Sequence, residues 1–82
     1  ITIMKTMTCL QLGGACDMEF HAPTFNEMAE LSKKHSMEMF QQGDADHFKA
    51  MNDMQKLMKS PDAMNEWFEN KRSEFDSLPC DD

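Results

Sequence analysis

The sequence lacks several features that would place it in a familiar functional class. No apolar run approaches the ~18 residues that cross a bilayer. The alternating segment from residue 1 to 12 ends in no small-residue cleavage site and does not resemble a secretion signal. There is also no phosphate-binding loop, nucleophile elbow or dinucleotide fingerprint. We therefore expect a soluble cytoplasmic protein that is not an enzyme, with no membrane partner and no evident small-molecule substrate.

Basic residues are scarce, since eight lysines and arginines stand against fifteen aspartates and glutamates, for a formal net charge of -7. The acidic surplus is spread along the chain and would repel a phosphate backbone, so nucleic acid is not an expected partner. Hydrophobic residues make up 40% of the 82 residues, enough for a single domain over 1–82. The chain starts at Ile1 rather than at methionine, so we expect a few missing or processed residues.

Cysteine occurs in an odd number. Three cysteines cannot all pair within one chain, whereas small extracellular scaffolds usually carry an even number, such as about four to eight. A reducing compartment suits this count better than an oxidising one, which agrees with a cytoplasmic location.

Two segments near the N-terminus alternate apolar and polar residues with the period of a β-strand. Gly13-Gly14 between them can supply both positive φ values of a type I′ turn, which predicts an antiparallel hairpin with its apolar residues on one face. The turn sets a register that pairs Leu12 with Ala15, Gln11 with Cys16, Cys9 with Met18 and Met7 with Phe20.

Capping signals predict three helices after the hairpin. Thr24 opens a capping box and Gly43 is a stop signal, Asp44 is an N-cap, and Ser60-Pro61 begins another helix. The predicted fold class is therefore α+β, with a two-stranded antiparallel hairpin packed on a helix and followed by two further helices. The predicted elements are a hairpin over 3–22 and helices over 24–42, 44–59 and 61–78.

Each predicted helix has an apolar face, and the ten methionines fall largely on these faces. Thioethers are soft copper(I) ligands, but the helical spacing favours core packing instead. The tail that begins at Cys80 is expected to fray. The faces contain Met28, Leu31, His35 and Met39 in the first helix, Phe48, Met51, Met54, Leu57 and Met58 in the second, and Met64, Trp67, Phe68, Phe75 and Leu78 in the third.

The segment KTMTCLQLGGACDMEFHAPTFNEMAELSKKH resembles a family of small bacterial proteins of unknown function that are known as predicted small metal-binding proteins. The resemblance covers about residues 5–40 and rests on a Lys-x-Met-x-Cys strand, a Leu-Gly-Gly turn, a Cys-Asp pair and a helix with a central histidine. It implies metal binding by Cys9, Cys16 and His35. Many members carry a second histidine one turn later, where this sequence has Ser-Met-Glu-Met-Phe, so a fourth ligand is absent at that place.

The hairpin register points to the same three candidate ligands. Cys9 and Cys16 face the core, whereas His21 occupies an odd position and points away. His35 lies on the helix that must cover the core face, which makes it the better third ligand for a structural zinc ion. The fourth ligand could be Cys80, Met39, water or a residue of a second subunit.

Several alternatives stay open. Cys9 and Cys16 could be small buried thiols, and a disulfide between them is not favoured because the register makes them diagonal neighbours. His47, in the first turn of the second helix beside Asp44 and Asp46, is expected to be a solvated surface residue. The alternative function is a metal-free interaction module or homodimer that uses the exposed hairpin edge and the methionine-rich helices.

Overall fold

The computed structural model describes residues 4–81 and confirms the predicted α+β class. Two short antiparallel strands pack on the first of three helices. In chain order the elements are β1 (Lys5–Thr8), β2 (Glu19–Ala22), α1 (Phe25–Gln42), α2 (Ala45–Leu57) and α3 (Pro61–Ser77).

The predicted capping residues begin and end the helices. Thr24, Asp44 and Ser60 each accept a hydrogen bond from the backbone N–H three residues along, which satisfies a donor that has no partner within the helix. Gly43 ends α1 in the left-handed region, with a φ of 75°. The second and third helices end at residues 57 and 77 rather than at 59 and 78.

The predicted register holds near the open end of the hairpin, but the predicted pairs Leu12–Ala15 and Gln11–Cys16 do not form, because the chain turns before it reaches them. Met7 pairs with Phe20, and the Cys9 N–H donates to the carbonyl of Met18 at 2.9 Å, beyond the last ladder pair. The ladder itself covers only Lys5–Thr8 and Glu19–Ala22. Residue 3, which the prediction placed in the first strand, lies outside the described residues.

The predicted type I′ turn at Gly13-Gly14 is wrong. Gly13 has a φ of 89°, but Gly14 does not have a positive φ. The chain instead closes a helix-like turn, in which the Leu12 N–H donates to the Thr8 carbonyl at 3.2 Å and the Gly14 N–H donates to the Cys9 carbonyl at 2.7 Å. This compact turn buries the Leu12 side chain, which an extended strand end would leave at the tip of the hairpin.

The turn also breaks the predicted alternation in the second strand. Leu10, rather than Gln11, donates its N–H to the carbonyl of Cys16, at 2.9 Å. The segment from Cys16 to Met18, which lies outside β2, is therefore offset by one residue from the predicted alternation. As a result Met18, predicted to face the core, is 50% exposed.

The core lies between the hairpin, α1 and the C-terminal half of α3. Phe25 and Phe75 meet edge to face, with their ring centroids 6.0 Å apart. The buried apolar residues are Met7, Cys9, Leu12, Phe20, Ala22, Phe25, Met28 and Phe75.

The predicted apolar faces of the helices are only partly buried. Every residue of α2 is described, and His47 alone among them is buried. Phe48 and Leu57 of the predicted α2 face are exposed, Leu57 by 60%. The prediction for these two residues is wrong because α2 reaches the core through its first turn rather than along its length. Leu31, Met64 and Phe68 of the other predicted faces are also exposed.

The C-terminal tail is held against the hairpin as far as Asp81, so the expected fraying is wrong for that part. The Asp81 N–H donates to the Met4 carbonyl at 2.9 Å, and its carboxylate accepts a hydrogen bond from the Thr6 hydroxyl at 2.8 Å. Lys5 Nζ donates to two carbonyls at the end of α3, those of Phe75 and Asp76. Among the described helices, none has both the length and the apolar character that a membrane span requires.

Candidate metal centre

Two cysteines and two histidines from separate parts of the chain meet beside the core. Cys9 directly follows β1, Cys16 lies in the loop before β2, His35 is in the middle of α1, and His47 is in the first turn of α2. Their two sulfur and two ring nitrogen atoms all lie within 4.8 Å of one another. Cys16 is half-buried and the other three side chains are buried, so the four donors converge where water has little access.

Two sulfur–nitrogen distances within the cluster suit one tetrahedral ion. Cys9 Sγ lies 3.6 Å from His47 Nε2, and Cys16 Sγ lies 3.2 Å from His35 Nε2. Zinc bonds of about 2.3 Å to sulfur and about 2.0 Å to nitrogen place the nitrogen and sulfur of a tetrahedron about 3.6 Å apart. The observed pairs are therefore already close to the separations that a shared ion would impose.

Gly14 makes room for the Cys9 thiol. A Cβ atom built on Gly14 would overlap Cys9 Sγ, and the Gly14 N–H also donates to the Cys9 carbonyl. Because Gly14 does not have a positive φ, the need for glycine here comes from space rather than from backbone conformation. The Gly-Gly sequence therefore serves the cluster as well as the turn.

The two histidine rings are held by different neighbours. The ring of His35 packs edge to face against Phe20, with centroids 5.5 Å apart, and against the ring of His47 at 5.2 Å. The His47 Nδ1 atom lies 2.5 Å from Asp44 Oδ2, which also accepts the His47 backbone N–H at 3.0 Å. Both rings thus present Nε2 to a cysteine sulfur.

The surroundings shift the pKa values of this histidine–carboxylate pair in opposite directions. The hydrogen bond to Asp44 raises the pKa of His47; burial opposes the rise, and Cys9 adds to it. The hydrogen bonds from the His47 side chain and backbone lower the pKa of Asp44. Asp44 is therefore held as a carboxylate against the ring.

The pKa values of the two thiols also shift in opposite directions. Burial raises the pKa of the Cys9 thiol, but hydrogen bonds from the Cys16 backbone and the His47 side chain outweigh burial, and the net pKa is lowered. Burial raises the pKa of Cys16, against a smaller opposing effect of the Met18 backbone, and the neighbouring Cys9 raises it further.

The structure brings together the three residues predicted as metal ligands, Cys9, Cys16 and His35, and adds His47 to them. The expectation that His47 is a solvated surface residue is wrong, because the side chain is only 4% exposed. With His47 the cluster has four donors, and it needs no contribution from Cys80, Met39, water or a second subunit. Cys80 is exposed on the tail.

His21 lies away from the cluster, as the hairpin register predicts. Its exposed ring places Nδ1 2.8 Å from the Thr6 hydroxyl and 3.3 Å from the Asp81 carboxylate. Cys9 and Cys16 are free thiols rather than a disulfide.

The position of His47 could have been suspected from one local signal. Asp44 and His47 occupy the N-cap and the third position of a helix, where a capping carboxylate can contact the side chain three residues on. That spacing does not show which way the helix faces, so the sequence alone could not assign His47 to the cluster.

Comparisons with protein-family models, with curated proteins and with solved structures gave no match for this chain. Its function is therefore inferred from the chemistry of the four clustered side chains.

Proposed function

We propose that the protein binds one Zn²⁺ ion through Cys9, Cys16, His35 and His47. The observation that carries the proposal is the convergence of four sulfur and nitrogen donors within 4.8 Å of one another. Two thiolates and two imidazoles are a common ligand set of structural zinc sites.

The donor set favours zinc over other abundant cations. Magnesium and calcium prefer oxygen donors, and the cluster offers none among its four members. Two thiolates also cancel the charge of a divalent ion, so the loaded site is neutral while three of its four ligands are buried. A neutral site avoids the large cost of burying an unpaired charge.

The number of protein ligands favours a structural ion rather than a catalytic one. A catalytic zinc site keeps one coordination position for water or substrate, whereas four protein ligands close the tetrahedron. We therefore propose that the protein is not an enzyme and that its zinc ion holds α2 against the hairpin and α1.

Without metal, the same side chains form two thiol–imidazole pairs. Each pair lies within hydrogen-bonding distance, and every buried side-chain nitrogen and oxygen in residues 4–81 has a partner. Buried thiol–imidazole pairs with no affinity for metal are thus the competing interpretation, and a binding measurement separates the two.

The test begins with protein purified without added metal. Elemental analysis should find up to one zinc per chain, and chelator competition should give a stoichiometry of one after reloading. Co²⁺ substitution should produce the absorption bands of a tetrahedral thiolate site. Zinc at about 100 times its dissociation constant should raise the free energy of unfolding by about 2.7 kcal/mol. Absence of bound zinc and of stabilisation would reject the proposal.

A second candidate function is protein–protein interaction through the exposed faces of α1 and α2. The rings of Phe40 and Phe48 contact each other with centroids 4.8 Å apart while both remain exposed, and exposed Met37 lies one turn before Phe40. The hairpin edge is less suitable, because Asp81 already bonds the Met4 carbonyl. Sedimentation velocity of wild type and Phe48→Ser tests self-association, and a wild-type monomer at all concentrations would reject the homodimer.

A further inference from the structure

We propose that Asp44 is a positioning residue that orients His47 for metal binding, an inference that rests on the proposed zinc site. The Oδ2 atom of Asp44 lies 2.5 Å from His47 Nδ1. On the other side of the same ring, Nε2 lies 3.6 Å from Cys9 Sγ, within the cluster. The carboxylate and the candidate metal position thus contact opposite nitrogens of one imidazole.

This arrangement selects the tautomer that can bind a metal through Nε2. A neutral imidazole carries one N–H, and the other nitrogen offers its lone pair. A carboxylate has only acceptor atoms, so Asp44 holds the proton on Nδ1 and leaves the Nε2 lone pair directed at the cluster. Carboxylate–histidine–metal arrangements of this kind recur in zinc proteins.

Asp44 also fixes the position of the His47 backbone, because Asp44 caps the helix that carries His47. The same Oδ2 atom accepts the His47 backbone N–H at 3.0 Å. The backbone and the ring of His47 are therefore held by a single oxygen atom. Since His47 is buried at the first turn of α2, this one carboxylate couples the start of the helix to the geometry of the cluster.

The experiment compares Asp44→Asn with Asp46→Asn. Asparagine caps helices about as well as aspartate, so Asp44→Asn keeps the cap and removes the charged acceptor. Asp46→Asn removes an equal charge from an exposed residue two positions along, in the first turn of α2. Zinc affinity is measured by chelator competition, the His47 tautomer is measured by nitrogen-15 NMR of the zinc-loaded proteins, and helix content is checked by circular dichroism.

We expect Asp44→Asn to weaken zinc binding by about 10- to 100-fold and to shift the His47 Nδ1 resonance. Asp46→Asn should leave both unchanged. If Asp44→Asn loses helix content, Asp44→Ser replaces it, because serine caps the helix but is too short to reach the ring. Equal zinc affinity and an equal Nδ1 resonance in the Asp44 and Asp46 variants would overturn the role of Asp44 and leave the zinc site intact. A wild type that binds no zinc would overturn both proposals.

Discussion

Cys9 Sγ lies 3.6 Å from His47 Nε2, although 38 positions separate the two residues along the chain. This contact joins the end of β1 to the first turn of α2. His47 is the one buried residue of α2, so the cluster is the principal buried attachment of that helix to the N-terminal half of the protein.

Replacing His47 should abolish tight zinc binding, whereas replacing His21 should not. His47→Gln removes one of four donors, and we expect the loss of affinity to exceed the ~10- to 100-fold lost on removing a residue that only orients a metal ligand. His21→Gln is the matched control, because His21 is exposed and contacts Thr6 and Asp81 instead of the cluster. Isothermal titration of both variants checks the ligand set, and equal affinities would contradict it.

Removing zinc should loosen α2 more than the rest of the fold. The hairpin, α1 and α3 share the apolar core, whereas α2 contributes His47. Hydrogen exchange followed by mass spectrometry should show faster exchange across Ala45–Leu57 after chelation, with little change in Phe25–Gln42. Uniform loss of protection over the whole chain would mean that the ion stabilises the fold globally and does not act at α2.

Gly14→Ala should weaken zinc binding, because the added methyl group overlaps Cys9 Sγ and forces the thiol to move. We expect a loss of zinc affinity on the order of tenfold, comparable to that caused by disturbing a residue that orients a metal ligand. Gly43→Ala is the control: its Cβ meets open space, and its φ of 75° costs about 1 kcal/mol of stability for a residue with a side chain. Zinc titration of both variants measures the loss of zinc affinity, and chemical denaturation measures the loss of stability. Unchanged zinc affinity in Gly14→Ala would show that the thiol can move freely.

Zinc affinity should fall as the pH falls. The metal requires deprotonated thiols and neutral imidazoles, so protons compete for all four ligands. The pKa of His47 is raised by its hydrogen bond to Asp44, so protons begin to compete for His47 at a higher pH than for an ordinary histidine. While both thiols are protonated in the free protein, affinity should drop by about 100-fold per pH unit, with a steeper fall once the histidines protonate. Competition titrations over a pH series measure this slope, and a flat profile would contradict thiolate ligation.

The local elements could be predicted from sequence because their signals lie within a few residues of each other. Thr24, Asp44 and Ser60 satisfy backbone donors in their own first turns, and Gly43 adopts a conformation that disfavours other residues. The pairing of Met7 with Phe20 agrees with the register predicted from a two-residue turn, although the turn itself has another form. The turn was not predicted correctly, because burial of Leu12 and the space needed by the Cys9 thiol outweighed the preference of two adjacent glycines for a type I′ turn.

The sequence by itself determined the α+β order, the helix starts and the expectation that Cys9, Cys16 and His35 share one face. Only the tertiary structure decided that His47 completes the group. A cap shows where a helix begins, but the direction in which that helix approaches the core depends on contacts between residues far apart in the chain. Here α2 approaches the core with its first turn and leaves Leu57 exposed to solvent. His47, which the sequence predicted to be a surface residue, is therefore the fourth donor of the cluster.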